Sequence, residues 1–136
     1  MSEWKCTRGE SLLISSGPGD KKHLFAILLD PVEVIGYGSR PHVLLASVVS
    51  IKPGMIVDDS CLLRQGDHPF IRHDSFVDYR FTRLDPAEDL QARVADGVFD
   101  VKEPCSSDLI QRIVSGAIKS KRISREYKAI LERVVF

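Results

Sequence analysis

HVLLASVVSIKPG, residues 42–54, carries the strongest strand pattern in the chain and decides the fold. Residues 42–51 form an apolar run that is rich in β-branched side chains, which pack well on a pleated surface. The run stops at Lys52-Pro53-Gly54, where proline fixes one backbone angle and glycine tolerates a turn. This stretch therefore predicts a β-strand that ends in a tight turn.

Shorter strand patterns flank this central run on both sides. Residues 11–15 and 23–29 precede it, and residues 61–64 and 75–84 follow it. The continuous apolar character of residues 23–29 indicates burial on both faces. Residues 17–19, Gly-Pro-Gly, are a turn signal between the first two runs. Closely spaced strands with turn residues between them predict a small antiparallel β-barrel or sandwich.

The last third of the chain changes to helical periodicity. Asp85 is predicted as the N-cap of a short helix that has Pro86 at its first position. Ser106 or Ser107 is predicted to cap a second, amphipathic helix, whose apolar stripe packs on the β core. Ser124 is predicted to cap a third helix. The sequence thus favours a mainly β fold with C-terminal helices.

The length of the chain predicts one domain. A chain of 136 residues matches the usual size of a single domain and can bury a substantial core. Its 43% hydrophobic and 28% charged residues are typical of a folded globular protein. We expect residues 1–136 to form a single domain, with a β-barrel core at 8–84 and a helical part at 85–136.

Charge and cysteine content narrow the classes of partner and compartment. With 19 Lys and Arg against 19 Asp and Glu, bulk charge does not indicate a nucleic-acid partner, which needs a local basic face instead. Cys6, Cys61 and Cys105 contain no CxxC pair and fit reduced thiols in the cytoplasm. The longest apolar block, residues 24–29, is too short to span a bilayer, so no membrane partner is expected.

QGDHPFIRHDSFVDYR, residues 65–80, is unusually dense in ionisable and aromatic side chains. Side chains alternate across a strand, and from residue 77 onward the odd positions, including Phe81, are apolar while the even positions are mostly charged. Before residue 77 the pattern breaks down, with His73 and Ser75 facing inward and Phe70 and Phe76 facing outward. Either a functional site at a barrel rim or a loop produces such a break.

The ionisable residues of this stretch have chemical uses. His68 and His73 can donate or accept a proton near neutral pH, and Arg72 presents a planar donor fork suited to phosphate. Asp74 can orient an imidazole, and Ser75 can donate a hydrogen bond. The alternatives are a turn shaped by His68-Pro69, a solvated rim charge at Arg72 and a strand cap at Asp74-Ser75. A metal site built from His68, His73 and Asp74 is conceivable, but it lacks a ligand-spacing signature.

Four segments resemble the PemK/MazF family of toxin endoribonucleases, in the same order along the chain. GYGSRPHVLLAS at 36–47 resembles the loop in which Arg-Pro leads into an apolar strand. RGESLLIS at 8–15 resembles the opening strand, HDSFVDYRFTRLD at 73–85 a late strand, and SSDLIQRIVSGAIKS at 106–120 the closing helix. The resemblance covers most of the chain, through short motifs.

This resemblance implies a fold and an activity. Members of the family adopt an SH3-like barrel with appended helices, form homodimers, and are neutralised by a cognate antitoxin. They cut single-stranded RNA without a metal or other cofactor, through attack of the ribose 2′-hydroxyl on the adjacent phosphate, which leaves a 2′,3′-cyclic end. The family's catalytic arginine falls on Arg40 and its hydroxyl-bearing residue on Ser60.

These assignments complete a hypothetical active site. His68 and His73, or His73 with Arg40, would serve as acid and base, and the guanidinium of Arg40 would stabilise the charge that develops on the phosphorane. The expected substrate-binding residues are Tyr37, Arg72, Asp74 and Ser75. For Arg40, the alternative is a residue that merely precedes proline and starts an extended segment.

A second hypothesis is a non-catalytic SH3-like module that binds protein or nucleic acid, such as one encoded by a mobile element. In that case Tyr37, Phe70 and Phe76 would be contact residues, because exposed aromatic rings stack on bases or anchor a protein partner.

Overall fold

The computed structural model describes residues 3–15 and 21–135, except for the side chain of Val135, and shows a mainly β fold. Six antiparallel strands form a sheet curled into a half-barrel, and three helices complete the described structure. The strands are β1 (Ser11–Ser15), β2 (Lys22–Ile27), β3 (His42–Ser50), β4 (Leu62–Leu63), β5 (Ser75–Pro86) and β6 (Asp100–Lys102). The helices are α1 (Ala87–Ala95), α2 (Ser107–Lys119) and α3 (Arg125–Val135).

The predicted central strand lies in the interior of the sheet. The spatial order is β4-β5-β3-β2-β1-β6, so β3 is paired on both sides. Its residues His42 to Val48 are all buried, in agreement with their apolar sequence. The mainly β class with C-terminal helices is confirmed, and so are strands at all five predicted positions. The predicted turn at residues 17–19 lies outside the described residues.

An irregularity in the β3–β5 pairing changes the face on which part of β5 lies. Leu45 pairs with Arg83, whereas Ser47 pairs with Asp78, so four β5 residues stand opposite one β3 residue. The simple alternation predicted for β5 is therefore wrong in this segment. Phe81, predicted to face inward, is 57% exposed, and Phe76, predicted to face outward, is fully buried.

Strand β6 was not expected from the sequence. Residues 96–104 begin with a turn at Asp96-Gly97, yet Asp100–Lys102 pairs with β1, with Ser11 opposite Lys102. The predicted helical part of the chain thus supplies a strand to the sheet. The pairing joins residues about ninety positions apart, which local periodicity does not reveal.

The helix caps agree with the sequence at two of three helices. The hydroxyl of Ser106 accepts a hydrogen bond from the Leu109 amide, and that of Ser124 accepts one from the Tyr127 amide. Asp85 does not cap α1, because its carboxylate pairs with Arg83 at 2.9 Å. Pro86 itself occupies the N-cap position of α1.

Helix α2 packs closely against the sheet at a glycine. Tyr79 is buried, and its hydroxyl donates a 2.6 Å hydrogen bond to the Ile113 carbonyl of α2. A Cβ atom at Gly116 would lie 2.5 Å from that hydroxyl oxygen and 2.8 Å from the carbonyl oxygen of Ser60. The absence of a side chain at residue 116 therefore sets the distance between α2, β5 and the segment that precedes β4.

Candidate functional site

The strand register separates the residues predicted to form one active site. Arg40 precedes the start of β3, where His42 pairs with Pro86. His73 precedes the start of β5, where Ser75 pairs with Ser50 at the other end of β3. A nine-residue strand is roughly 25 Å long. Within one chain, the structure does not bring Arg40 to His73.

The loop that carries Arg40 is attached to the helices. The Arg40 guanidinium lies 2.9 Å from a Glu88 carboxylate oxygen and 3.1 Å from an Asp89 oxygen, at the start of α1. The Tyr37 hydroxyl donates to the carboxylate of Glu126 in α3, and its ring lies 5.5 Å from the His42 ring. Arg40 and Tyr37 therefore contact acidic helix residues, a poor setting for a polyanion.

His68 occupies a structural position inside the half-barrel. It is 2% exposed, and its Nδ1 accepts a 3.0 Å hydrogen bond from the Phe70 amide. Its Nε2 therefore carries the proton in the neutral ring and donates to the Glu103 carbonyl at 2.6 Å, with the Ser11 hydroxyl 3.2 Å away. Both ring nitrogens are engaged, and these hydrogen bonds tie the 64–73 loop to the segment that follows β6.

Three other predicted site residues are also engaged in local structure. Ser75 is buried, and its hydroxyl donates to the His73 carbonyl at 2.8 Å. The backbone carbonyl of Asp74 accepts a hydrogen bond from the Ile51 amide, while its side chain is exposed. Ser60 is half-buried beside α2, separate from the 64–73 loop, and its amide donates to Asp58 at 3.0 Å.

A groove opens where β2, β3 and β5 meet the 64–73 loop. It consists of two adjoining cavities of about 290 and 330 Å³, which share Lys22, Leu24, Val48, Ser50 and Phe70 in their lining. We call the two together the mouth groove, and its remaining lining residues are Lys21, His23, Val49, Lys52, Met55, Ile71, Arg72, His73 and Ser75. Arg72, His73 and Ser75, predicted from sequence, thus lie together, and the structure adds Lys22, His23, Lys52 and Phe70.

Positive charge is concentrated in this groove, although the chain as a whole is neutral. Lys21, Lys22, Lys52 and Arg72 line it, and Lys22 pairs with Asp100 at 3.0 Å. Burial lowers the pKa of His23 from its ordinary value, and the nearby charges of Lys21 and Lys52 lower it further. The neutral form of His23 is therefore favoured first by burial and then by the two lysine charges, and such charges attract anions.

An exposed aromatic ring lies in the same groove. Phe70 is 41% exposed, and the ammonium group of Lys102 lies 6.0 Å from the centre of its ring. The Phe70 amide is fixed by His68, so the ring is positioned by the buried network beneath it. A half-exposed ring with a cation beside it can stack on a nucleobase or another planar group.

Thiol and metal chemistry receive no support from the described residues. Burial raises the pKa of Cys6 to about 12 and that of Cys105 to about 11, and it also raises the pKa of Cys61, so these thiols are protonated at neutral pH. Residues 3–15 and 21–135 contain no cluster of three or more His, Cys, Asp or Glu side chains that could hold a metal ion.

Comparison of the chain with protein-family models, with curated proteins and with solved structures gave no match. The resemblance to the PemK/MazF family stays a prediction. Among the described helices, none combines the length and apolar character needed to cross a bilayer.

Proposed function

We propose that this protein binds single-stranded RNA in the mouth groove. The observation that carries the proposal is the combination of four cationic side chains with the exposed ring of Phe70 in one groove, in a chain whose net charge is zero. Proteins that bind single strands use this pair of features, cations along the backbone and aromatic rings under the bases. The proposal corresponds to a binding module rather than to an active site centred on Arg40.

The size of the groove favours a single strand over a duplex. Its two cavities, about 290 and 330 Å³, are at the lower end of the range for small-molecule pockets, roughly 300–1,000 Å³. An unpaired base can enter such a space, whereas a base in a duplex is stacked and paired and does not reach the ring of Phe70.

Removal of two groove cations is expected to weaken RNA binding. In the double variant Lys52→Ala/Arg72→Ala, we expect the affinity for a fluorescent five-nucleotide RNA to fall about tenfold in an anisotropy titration. The salt dependence should also become shallower by about 1.4 in log K against log salt, since each lost phosphate contact to a single strand contributes about 0.7.

The control removes equal charge elsewhere. Lys5 and Arg133 are exposed and do not line the groove, so Lys5→Ala/Arg133→Ala should bind the RNA like the unmodified chain. Equal losses in the two double variants would show only bulk electrostatics and would contradict a binding site in the mouth groove. Phe70→Ala should weaken binding with an unchanged salt dependence, because it removes stacking rather than charge.

Metal-independent cleavage is a second candidate, favoured by the presence of His23 and His73 in the same groove. One imidazole would take the proton of the ribose 2′-hydroxyl as its oxygen attacks phosphorus. The other would protonate the departing 5′-oxygen, which leaves a 2′,3′-cyclic phosphate. The cytoplasmic location expected from the cysteines stays a prediction, and so do the homodimer and the antitoxin implied by the family resemblance.

Two variants distinguish this candidate from the hypothesis centred on Arg40. The chain would be incubated with mixed-sequence RNA in EDTA, and the products would be examined for cyclic ends. For cleavage in the mouth groove, His73→Ala should abolish the product and Arg40→Ala should retain it, because Arg40 pairs with Glu88 and Asp89 outside the groove. Cleavage that survives in His73→Ala and is lost in Arg40→Ala would favour the Arg40 site. If the unmodified chain gives no product, only RNA binding remains as the proposed function.

A further inference from the structure

A second basic cleft lies at the turn between α2 and α3. Lys119, Lys121 and Arg122 line a space of about 270 Å³ together with Ser60 and neighbouring residues of the segment 57–60. Lys119 and Lys121 are exposed. We call this space the turn cleft. It contains Ser60, which the sequence singled out and the mouth groove does not use.

Two acidic residues line the turn cleft, the exposed Asp59 and Asp58, and Asp58 is engaged within the protein. Asp58 is buried, and its carboxylate accepts hydrogen bonds from the Ser120 hydroxyl at 2.6 Å and the Ser60 amide at 3.0 Å. Burial opposes ionisation of Asp58, but these hydrogen bonds outweigh it and hold its pKa below the ordinary value. Asp58 thus holds the turn in place, while the cations of the turn remain at the surface.

Further hydrogen bonds hold the same turn. The Ser120 hydroxyl accepts from the Arg122 amide at 3.0 Å, and the Ser120 carbonyl accepts from the Lys128 ammonium at 2.9 Å. The backbone that carries Lys119 and Lys121 is therefore positioned before any ligand arrives. Such preorganisation lowers the entropic cost of binding.

One segment connects the turn cleft with the mouth groove. Lys52 and Met55 line the mouth groove, and residues 57–60 line the turn cleft. The nine residues from Lys52 to Ser60 span at most about 28 Å even when fully extended, since eight steps separate the first from the last. Met55, at the edge of the mouth groove, is 38% exposed, and Ile56, between the two clefts, is 67% exposed, so apolar surface suited to bases lies along the path.

We propose that an RNA strand bound in the mouth groove continues over residues 52–60 to the turn cleft, where Lys119, Lys121 and Arg122 bind its backbone phosphates. This inference rests on the proposed function and extends it to a longer binding site. A footprint longer than the mouth groove alone would remain within the roughly 4–16 nucleotides that a single OB fold, another small β-barrel, covers.

RNA length tests the extension. Affinities for five-nucleotide and twelve-nucleotide RNA would be measured by anisotropy on the unmodified chain and on Lys119→Ala/Lys121→Ala. We expect the variant to bind the five-nucleotide RNA normally and the twelve-nucleotide RNA about tenfold more weakly, with a salt dependence shallower by about 1.4. A longer RNA can bind in more registers than a short one. This advantage is the same for the variant and the unmodified chain, so it cancels when the two proteins are compared on the twelve-nucleotide RNA.

The outcomes separate the extension from the proposed function. If the twelve-nucleotide RNA binds Lys119→Ala/Lys121→Ala like the unmodified chain, while Lys52→Ala/Arg72→Ala weakens both lengths, the extension is overturned and the mouth groove stands. If neither RNA binds the unmodified chain, both proposals are overturned. The Lys5→Ala/Arg133→Ala variant again supplies the control for bulk charge.

Discussion

Gly116→Ala is expected to lower the free energy of unfolding by about 2–4 kcal/mol, as the balance of helix propensity, crowding and a disturbed hydrogen bond. In an open helix this substitution would stabilise by up to about 1 kcal/mol, because alanine is the better helix former. At residue 116 the new Cβ would lie 2.5 Å from the Tyr79 hydroxyl oxygen and 2.8 Å from the Ser60 carbonyl. Overpacking of this kind costs about 1–3 kcal/mol.

A second cost adds to the crowding at Gly116. Relief of the contact moves the buried Tyr79 hydroxyl away from the Ile113 carbonyl, which lies 2.6 Å away. An unmade buried hydrogen bond costs about 1–3 kcal/mol. Urea denaturation followed by circular dichroism measures the sum, and Ser115→Ala on the same helix, half-buried, should stay within about 0.5 kcal/mol of the unmodified chain. Unchanged stability of Gly116→Ala would contradict the close packing of α2 on β5.

His68→Ala is expected to lower the free energy of unfolding by about 2–4 kcal/mol, in the range for large-to-small substitutions at buried positions. The change leaves a cavity inside the half-barrel and removes the acceptor of the Phe70 amide and the donor to the Glu103 carbonyl. Thermal or urea unfolding measures the loss. His68→Gln, which can place an amide donor near the Nε2 position, should recover part of it, and exposed His73→Ala should cost far less.

The His68 variants also separate a structural histidine from a catalytic one. A structural role predicts that His68→Ala lowers stability and, by releasing Phe70, weakens RNA binding. The sequence-based role as acid or base predicts lost cleavage with nearly unchanged stability. If His68→Ala unfolds with the same free energy as the unmodified chain, this result would contradict the hydrogen-bond network that joins His68 to Glu103 and Phe70.

Local pattern was sufficient to predict much of the fold. Strand β1 coincides with the predicted residues 11–15, because its apolar run and its ends are determined by neighbouring residues. The caps at Ser106 and Ser124 are equally local. Strand β6 was missed because its three residues are mostly polar and its partner, β1, is distant in sequence.

The candidate site was predictable only in part, for the same reason. Arg72 and His73 stand out as an ionisable cluster in the sequence and do line the mouth groove. Lys22 and Lys52 line the groove because the start of β2 and the end of β3 lie side by side in the sheet. Lys102 lies near Phe70 because β6 pairs with β1. The family pattern groups Arg40 with the histidines, but the β3–β5 register places it at the far end of the strand from His73.

The late position of β6 has a consequence for synthesis of the chain. The Ser11 hydroxyl donates to the Glu103 carbonyl across a separation of 92 residues, so β1 gains its second neighbour after most of the polypeptide has left the ribosome. Contacts of such separation raise contact order and slow folding. Lys102 belongs to that strand, so the charge around Phe70 is complete only once β6 has paired with β1.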